Sequence, residues 1–90
     1  MVETSVKVVN NLGLHARAAA QLVRLAGNYE STIKIIRPDK GAFADAKSIL
    51  NLLTLAASIG TELHLQAEGR DEVAALAAVE DLFTRGFGEF

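Results

Sequence analysis

The residues of this chain best suited to chemistry stand together in Asn11-Leu12-Gly13-Leu14-His15-Ala16-Arg17. His15 falls where a loop enters a helical stretch. No Ser, Thr or Asp occupies the natural cap position, so the first backbone N–H groups lack an evident side-chain acceptor. Such a helix start favours anions, because the free donors and the macrodipole both attract negative charge. The same dipole disfavours imidazolium and so helps to keep His15 neutral and nucleophilic. Arg17, in the first turn, sits against the dipole at a cost of about 0.3–1 kcal/mol. A cation placed against a local rule points to a bound anion. Together these features describe a site for a phosphoryl group on an imidazole nitrogen, its oxygens held by the backbone N–H groups of Ala16 and Arg17 and by the Arg17 guanidinium. Phosphoryl transfer needs mainly positioning and charge stabilisation, and a partner enzyme could supply what this small site lacks. The plainer alternative is that His15 caps the helix and Arg17 is solvated.

A second cluster lies in Lys47–Leu55, read as a short helix. Ile49, Leu50, Leu52, Leu53, Leu55 and Ala56 cover more than half of its circumference, whereas a helix packed on one sheet face needs a stripe of about 100° or slightly more. Some of these side chains should therefore be exposed as a docking surface, unless loops cover the excess. Ser48, in the first turn, is a plausible cap. The remaining candidates read as structural. His64 is a surface histidine with no third metal ligand at useful spacing. Asp71 fits an N-cap followed by a first-turn acid, Glu72, and Asp45 favours a helix start in the same way. Gly13, Gly27 and Gly69 mark turns and form no dinucleotide fingerprint.

The elements that must position these residues follow from periodicity and punctuation. Val2, Thr4, Val6 and Val8 alternate with Glu3, Ser5 and Lys7, the period of a half-buried strand. Residues 16–26 read as a helix with Ala19, Leu22, Val23 and Ala26 on one face, ending at Gly27 in a left-handed cap. Thr32 to Arg37 is a β-branched strand, joined by Pro38-Asp39-Lys40-Gly41 to a short strand at 42–44. Leu63, Leu65 and Ala67 alternate with Glu62, His64, Gln66 and Glu68 in a further strand. A last helix runs from an Asp71 cap to Thr84 or Arg85, with Gly86 after it. The order is βαββαβα. Because every strand has one polar face, the expected fold is an α/β (α+β) open-faced sandwich, a four-stranded antiparallel sheet with three helices on one face.

Bulk composition narrows the function classes. Ninety residues fit one domain, and half of them are apolar, which predicts a packed core. There is no cysteine, so disulfides, thiolate metal sites and cysteine nucleophiles are excluded. The N-terminus has an acid and polar residues where a signal peptide would be basic and then apolar. The longest apolar stretch, 49–59, is interrupted and too short to span a bilayer. The expected compartment is the cytoplasm. With a net charge of −2, scattered basic residues and no tryptophan, nucleic-acid binding is not expected.

Gly13-Leu14-His15-Ala16-Arg17, then Ala46-Lys47-Ser48-Ile49, then Ala67-Glu68-Gly69 with Asp71-Glu72 and Ala75-Leu76, resemble the HPr family along essentially the whole chain. These are histidine phosphocarriers of the bacterial phosphoenolpyruvate-dependent phosphotransferase system. The resemblance implies that enzyme I phosphorylates His15 on Nδ1, that the group passes to an enzyme IIA, and that Arg17 holds its oxygens. It also implies that Ser48 is the serine modified by an ATP-dependent HPr kinase/phosphorylase. Ile49, Leu50 and Leu53, with Ala19 and Ala20 of the first helix, would form the docking patch, serving transcription regulators as well. A monomer without cofactor or metal is expected. Three features depart from the commonest pattern. Ala18 replaces the usual proline, the loop at 37–45 is slightly longer, and Asn11-Leu12-Gly13 with the segment 82–87 looks more like the nitrogen-related NPr branch.

Two other function classes were weighed against the carrier. One is a purely regulatory protein acting through Ser48 and partner binding. The other is a freestanding hydrolase or transferase with His15 as base, disfavoured because no second acid or base is identifiable and no large pocket is expected.

Overall fold

The computed structural model describes residues 1–89 and contains β1 (Val2–Lys7), α1 (Ala16–Ala26), β2 (Thr32–Arg37), β3 (Ala42–Asp45), α2 (Ile49–Thr54), β4 (Glu62–Glu68) and α3 (Glu72–Thr84). The strands form one antiparallel sheet in the order β1-β4-β2-β3, so the expected open-faced sandwich is the fold. The registers Thr4↔Leu65 and Ile35↔Leu65, with Ile35↔Ala44, bring the apolar positions of all four strands onto one face. Val6, Ile33, Ile35, Leu63, Leu65 and Ala67 are buried there beneath Ala18, Ala19 and Leu22 of α1, Leu52 of α2, and Ala75, Val79 and Phe83 of α3. The opposite face carries the pair Ser5↔His64, and the His64 ring contacts Glu3 and Ser5 there. No helix among the described residues is long and apolar enough to cross a membrane.

Three local expectations need correction. Gly27 is right-handed (φ −65°, ψ −16°) rather than a left-handed cap, because α1 runs on into a tight turn in which Asn28 and Tyr29 donate to Leu25 and Ala26. The second helix is six residues, Ile49–Thr54, because Ser48 is extended and caps it by accepting from the Asn51 N–H, which leaves Lys47 outside. Asp71 occupies the N-cap position of α3 yet makes no cap bond to it. Its carboxylate turns to the α1–β2 connection, accepting from the N–H groups of Glu30 and Ser31 and from the Ser31 hydroxyl at 2.5 Å. The start of α3 is tied instead by Glu72, which accepts from the Gly69 N–H.

The Asp71 network ties the end of the α1–β2 connection to the last helix. The Ser31 hydroxyl first, and then the Glu30 and Ser31 N–H groups, hold the Asp71 carboxyl below its ordinary value, against a smaller opposing effect of burial. A carboxyl whose folded value is depressed stabilises the fold above its unfolded pKa, about 3.9, and that contribution is lost as pH falls through the folded value. Asp71→Asn should therefore lower the melting temperature at neutral pH and flatten its decline below about pH 4. Thermal melts followed by circular dichroism from neutral to acid pH check this; parallel wild-type and variant curves would refute it.

Candidate functional site

The loop into α1 is fixed by a close backbone approach. Gly13 is buried in the left-handed region (φ +67°), and a Cβ there would meet the Ala57 carbonyl oxygen at 2.5 Å. Leu14 N–H donates to that same oxygen at 2.8 Å, and Gly60 N–H donates to Val8. The segments preceding α1 and following α2 are thereby clamped together. The clamp delivers His15 as the N-cap residue of α1 in extended conformation (φ −80°, ψ 179°), with no side chain capping the helix and no acid in its first turn.

The His15 side chain is 25% exposed, within reach of a partner. Its Nε2 lies 2.5 Å from Glu89 Oε2, while the other Glu89 oxygen accepts from Asn10 Nδ2 at 2.9 Å. Asn10 is buried, and its Nδ2 also donates to the Gly13 carbonyl at 2.8 Å. The Asn10 amide first, then the His15 ring, and the more distant Arg17 charge hold the Glu89 carboxyl below its ordinary value. Arg17 is exposed and joins no ion pair among the described residues. It shares with Asn11, Leu12, Gln21, Phe87 and Glu89 the wall of an open hollow of about 520 Å³. Ala16 is also exposed, so the first turn faces solvent. An uncapped helix start, an accessible imidazole and an arginine in the first turn can receive a dianionic group.

Of the apolar candidates, Leu50 is 72% exposed, with Ile49 and Leu53 about half that, whereas Leu52 is buried. Leu12 and Ile59 are exposed too, on the two clamped loops, and sequence reasoning missed them. Ala20 is half-buried. Ala19 is fully buried and is corrected as a docking residue: it lies on the face of α1 that packs on the sheet. Ala18, in the place of the usual proline, is likewise fully buried. Ser48 caps α2, as its position in the sequence proposes, and remains partly exposed. Glu89 and Asn10 were not foreseen. The two glycines flanking Phe87 announce a turn, but no pattern in the sequence tells that it returns the tail to His15. Phe87 itself is buried edge-on against Phe83 with its backbone at φ 57°, and this is what anchors the return. No cluster of three metal-ligating side chains occurs among the described residues.

A family model described as "PTS HPr component phosphorylation site" matches residues 2–85. The chain is 44% identical over 89 residues to phosphocarrier protein HPr of Cupriavidus necator, covering 99% of this chain and 98% of that one. It is 42% identical over 88 residues to phosphocarrier protein NPr of Klebsiella oxytoca, covering 98% and 97%. Among solved structures, HPr-C-His from Thermoanaerobacter tengcongensis superposes with a TM-score of 0.93 at 38% identity, covering 100% of this chain and 99% of that one. An HPr dimer from the same organism is also similar, with a TM-score of 0.77 at 38% identity over 99% of this chain and 100% of that one. The chain belongs to the HPr family, a class of phosphocarrier proteins to which the resemblance in its motifs had already pointed.

The clamp at Gly13 makes a direct prediction. Gly13→Ala must place a Cβ against the Ala57 carbonyl in a conformation that costs a non-glycine residue about 1–3 kcal/mol. A loss of stability in that range or above is expected in urea unfolding, and an unchanged midpoint would show that the loop relaxes freely.

Proposed function

We propose that this protein accepts a phosphoryl group on His15 from the phosphoenolpyruvate-dependent enzyme I and passes it to an enzyme IIA, catalysing nothing alone. The observation that carries this reading is an accessible histidine at the uncapped start of α1 with exposed Arg17 in the first turn. The N–H groups of Ala16 and Arg17 and the Arg17 guanidinium hold the phosphoryl oxygens. Ile49, Leu50 and Leu53 form the apolar part of a small, transient interface for these partners in the cytoplasm. Ser48, the cap of α2, is the regulatory serine for an HPr kinase/phosphorylase. A phosphate there adds about two negative charges beside the docking patch and repels acidic partner surfaces.

Incubation with phosphoenolpyruvate and enzyme I should yield one acid-labile, base-stable phosphate on the wild type and none on His15→Ala; equal uptake by both, or none by the wild type, would falsify the carrier role. The similarity to both HPr and NPr relatives makes the recipient the natural second measurement, with sugar-branch and nitrogen-branch IIA proteins offered side by side. The proposed monomer stands beside a dimeric relative and is read by light scattering.

The docking patch carries its own prediction. Leu50→Asp alters an exposed side chain, so stability should change by no more than about 0.5 kcal/mol while the rate of phosphoryl uptake from enzyme I falls. Wild-type uptake in the variant would remove Leu50 from the interface.

A further inference from the structure

We propose that Glu89, itself held by Asn10, is the positioning residue that keeps the proton of His15 on Nε2 and so leaves Nδ1 as the atom that takes the phosphoryl group. This rests on the carrier reading of His15 and adds to it a reason for the choice of nitrogen.

The argument begins with the donors available. An ionised carboxylate can only accept, and Glu89 is surrounded by groups that favour its ionised form: the Asn10 amide, the His15 ring and the Arg17 charge. A carboxylate oxygen 2.5 Å from Nε2 therefore requires a proton on Nε2. In the neutral ring that places the free lone pair on Nδ1, which makes no hydrogen bond among the described residues. Asn10 fixes the direction of this chain of bonds. Both of its contacts, to Gly13 O and to Glu89 Oε1, are made by Nδ2 as donor. Reversing the amide would set its oxygen against two acceptors. The buried Asn10 Oδ1 is left without a partner, so the amide serves the carboxylate at the expense of its own acceptor. From Gly13, already clamped to Ala57, the order passes through Asn10 and Glu89 to the imidazole.

In the transfer step the Nδ1 lone pair attacks phosphorus and the Nδ1–P bond forms. The bond from phosphorus to the donor's leaving atom breaks, and its electron pair departs with the donor. The proton on Nε2 stays there, and the positive charge that develops on the ring faces the Glu89 carboxylate. On onward transfer the electrons of the Nδ1–P bond return to Nδ1 and the same Nε2–H tautomer is restored. Orientation of a histidine by a carboxylate on its second nitrogen is the same logic that serves in catalytic triads.

The distinguishing variant is Glu89→Gln. The Asn10 donor draws the new amide oxygen, which turns the amide NH2 toward His15 Nε2. That nitrogen must then accept, and the proton moves to Nδ1, where it blocks attack. Glu89→Ala merely releases the ring to both tautomers. Nitrogen-15 NMR of the unphosphorylated ring at about pH 8.5, above the ordinary histidine range near 6.5, should show Nε2–H in the wild type, Nδ1–H in Glu89→Gln and a mixture in Glu89→Ala. Initial uptake from enzyme I and phosphoenolpyruvate should fall in the order wild type, Ala, Gln, the last by at least about tenfold. A purely structural role would not make the isosteric glutamine worse than alanine. Circular dichroism confirms that each variant is folded, and the alanine variant gives a second reading of the tautomer. A wild type that takes up no phosphate overturns the carrier reading. A wild type that takes it up with Nδ1–H in the resting ring, or tautomers unchanged across the variants, overturns this inference alone.

Discussion

The contact between Gly13 and the backbone of Ala57 is the constraint on which the working end of the molecule depends. It is made of backbone on both sides, a left-handed glycine pressed against a carbonyl that also accepts from Leu14 N–H. No side chain can substitute for it, because a single Cβ fills the gap. Through it the segment that ends in His15 and the segment that follows α2 become one surface. The His15 ring and the exposed leucines of α2 come from residues far apart in the chain, and the loops that carry them are joined at this point. Arg37 reinforces the arrangement from the sheet, donating to the Leu55 and Ala56 carbonyls at the end of α2. Those carbonyls would otherwise be left over where so short a helix stops.

Two negative groups bear on the ring beside that clamp. The start of α1 favours an anion, and a carboxylate already sits against Nε2. Glu89 meets the ring at Nε2, and Nδ1 makes no hydrogen bond among the described residues. The tail brings Glu89 to one edge, and on the carrier reading the other is left for the incoming group. The Arg17 charge acts on the Glu89 carboxylate, and its side chain is exposed; on the carrier reading it also lies within electrostatic reach of the arriving phosphoryl group. On that reading its unfavourable place in the first turn has a counterpart in the anion it would face.

The fold was legible from two periodicities. The alternation in Glu62–Glu68 and in Val2–Lys7 returned strands with the expected boundaries, because a sheet covered on one side forces period two on every strand. The small-residue face of α1 returned Ala16–Ala26 for the same kind of reason. What misled were local rules overridden by tertiary contact. Asp71 is a good cap by residue type, but Ser31 and Glu30 compete for its carboxylate and win. Gly27 suits a left-handed cap, yet the chain continues turning in the same sense. Ala19 belongs to the docking surface only by what the resemblance implies, whereas its own helical spacing with Leu22 and Ala26 puts it on the buried face. His15, Arg17 and Ser48 could be read because each departs from, or fulfils, a rule about helix ends. Glu89 could not, since its partner lies 74 positions away and only the burial of Phe87 brings it there.

A carrier must release what it takes, and the geometry of this site is suited to that. Arg17 is solvated, and an exposed charge pair is worth little, about 0–1 kcal/mol; the oxygens of a phosphoryl group held here would therefore be stabilised only weakly by the isolated protein. If a partner covers Leu50 and its neighbours, as the carrier reading has it, water leaves and the same guanidinium and N–H groups act in a lower dielectric, where each is stronger. On the carrier reading, stabilisation of the transferring group is thus delivered mainly at the moment of docking, in either direction, and is withdrawn when the partner leaves. A deeper pocket with a buried arginine would bind the phosphoryl group more tightly in the resting state and slow its onward transfer. A shallow, open site tied at Gly13 and Glu89 is consistent with that requirement.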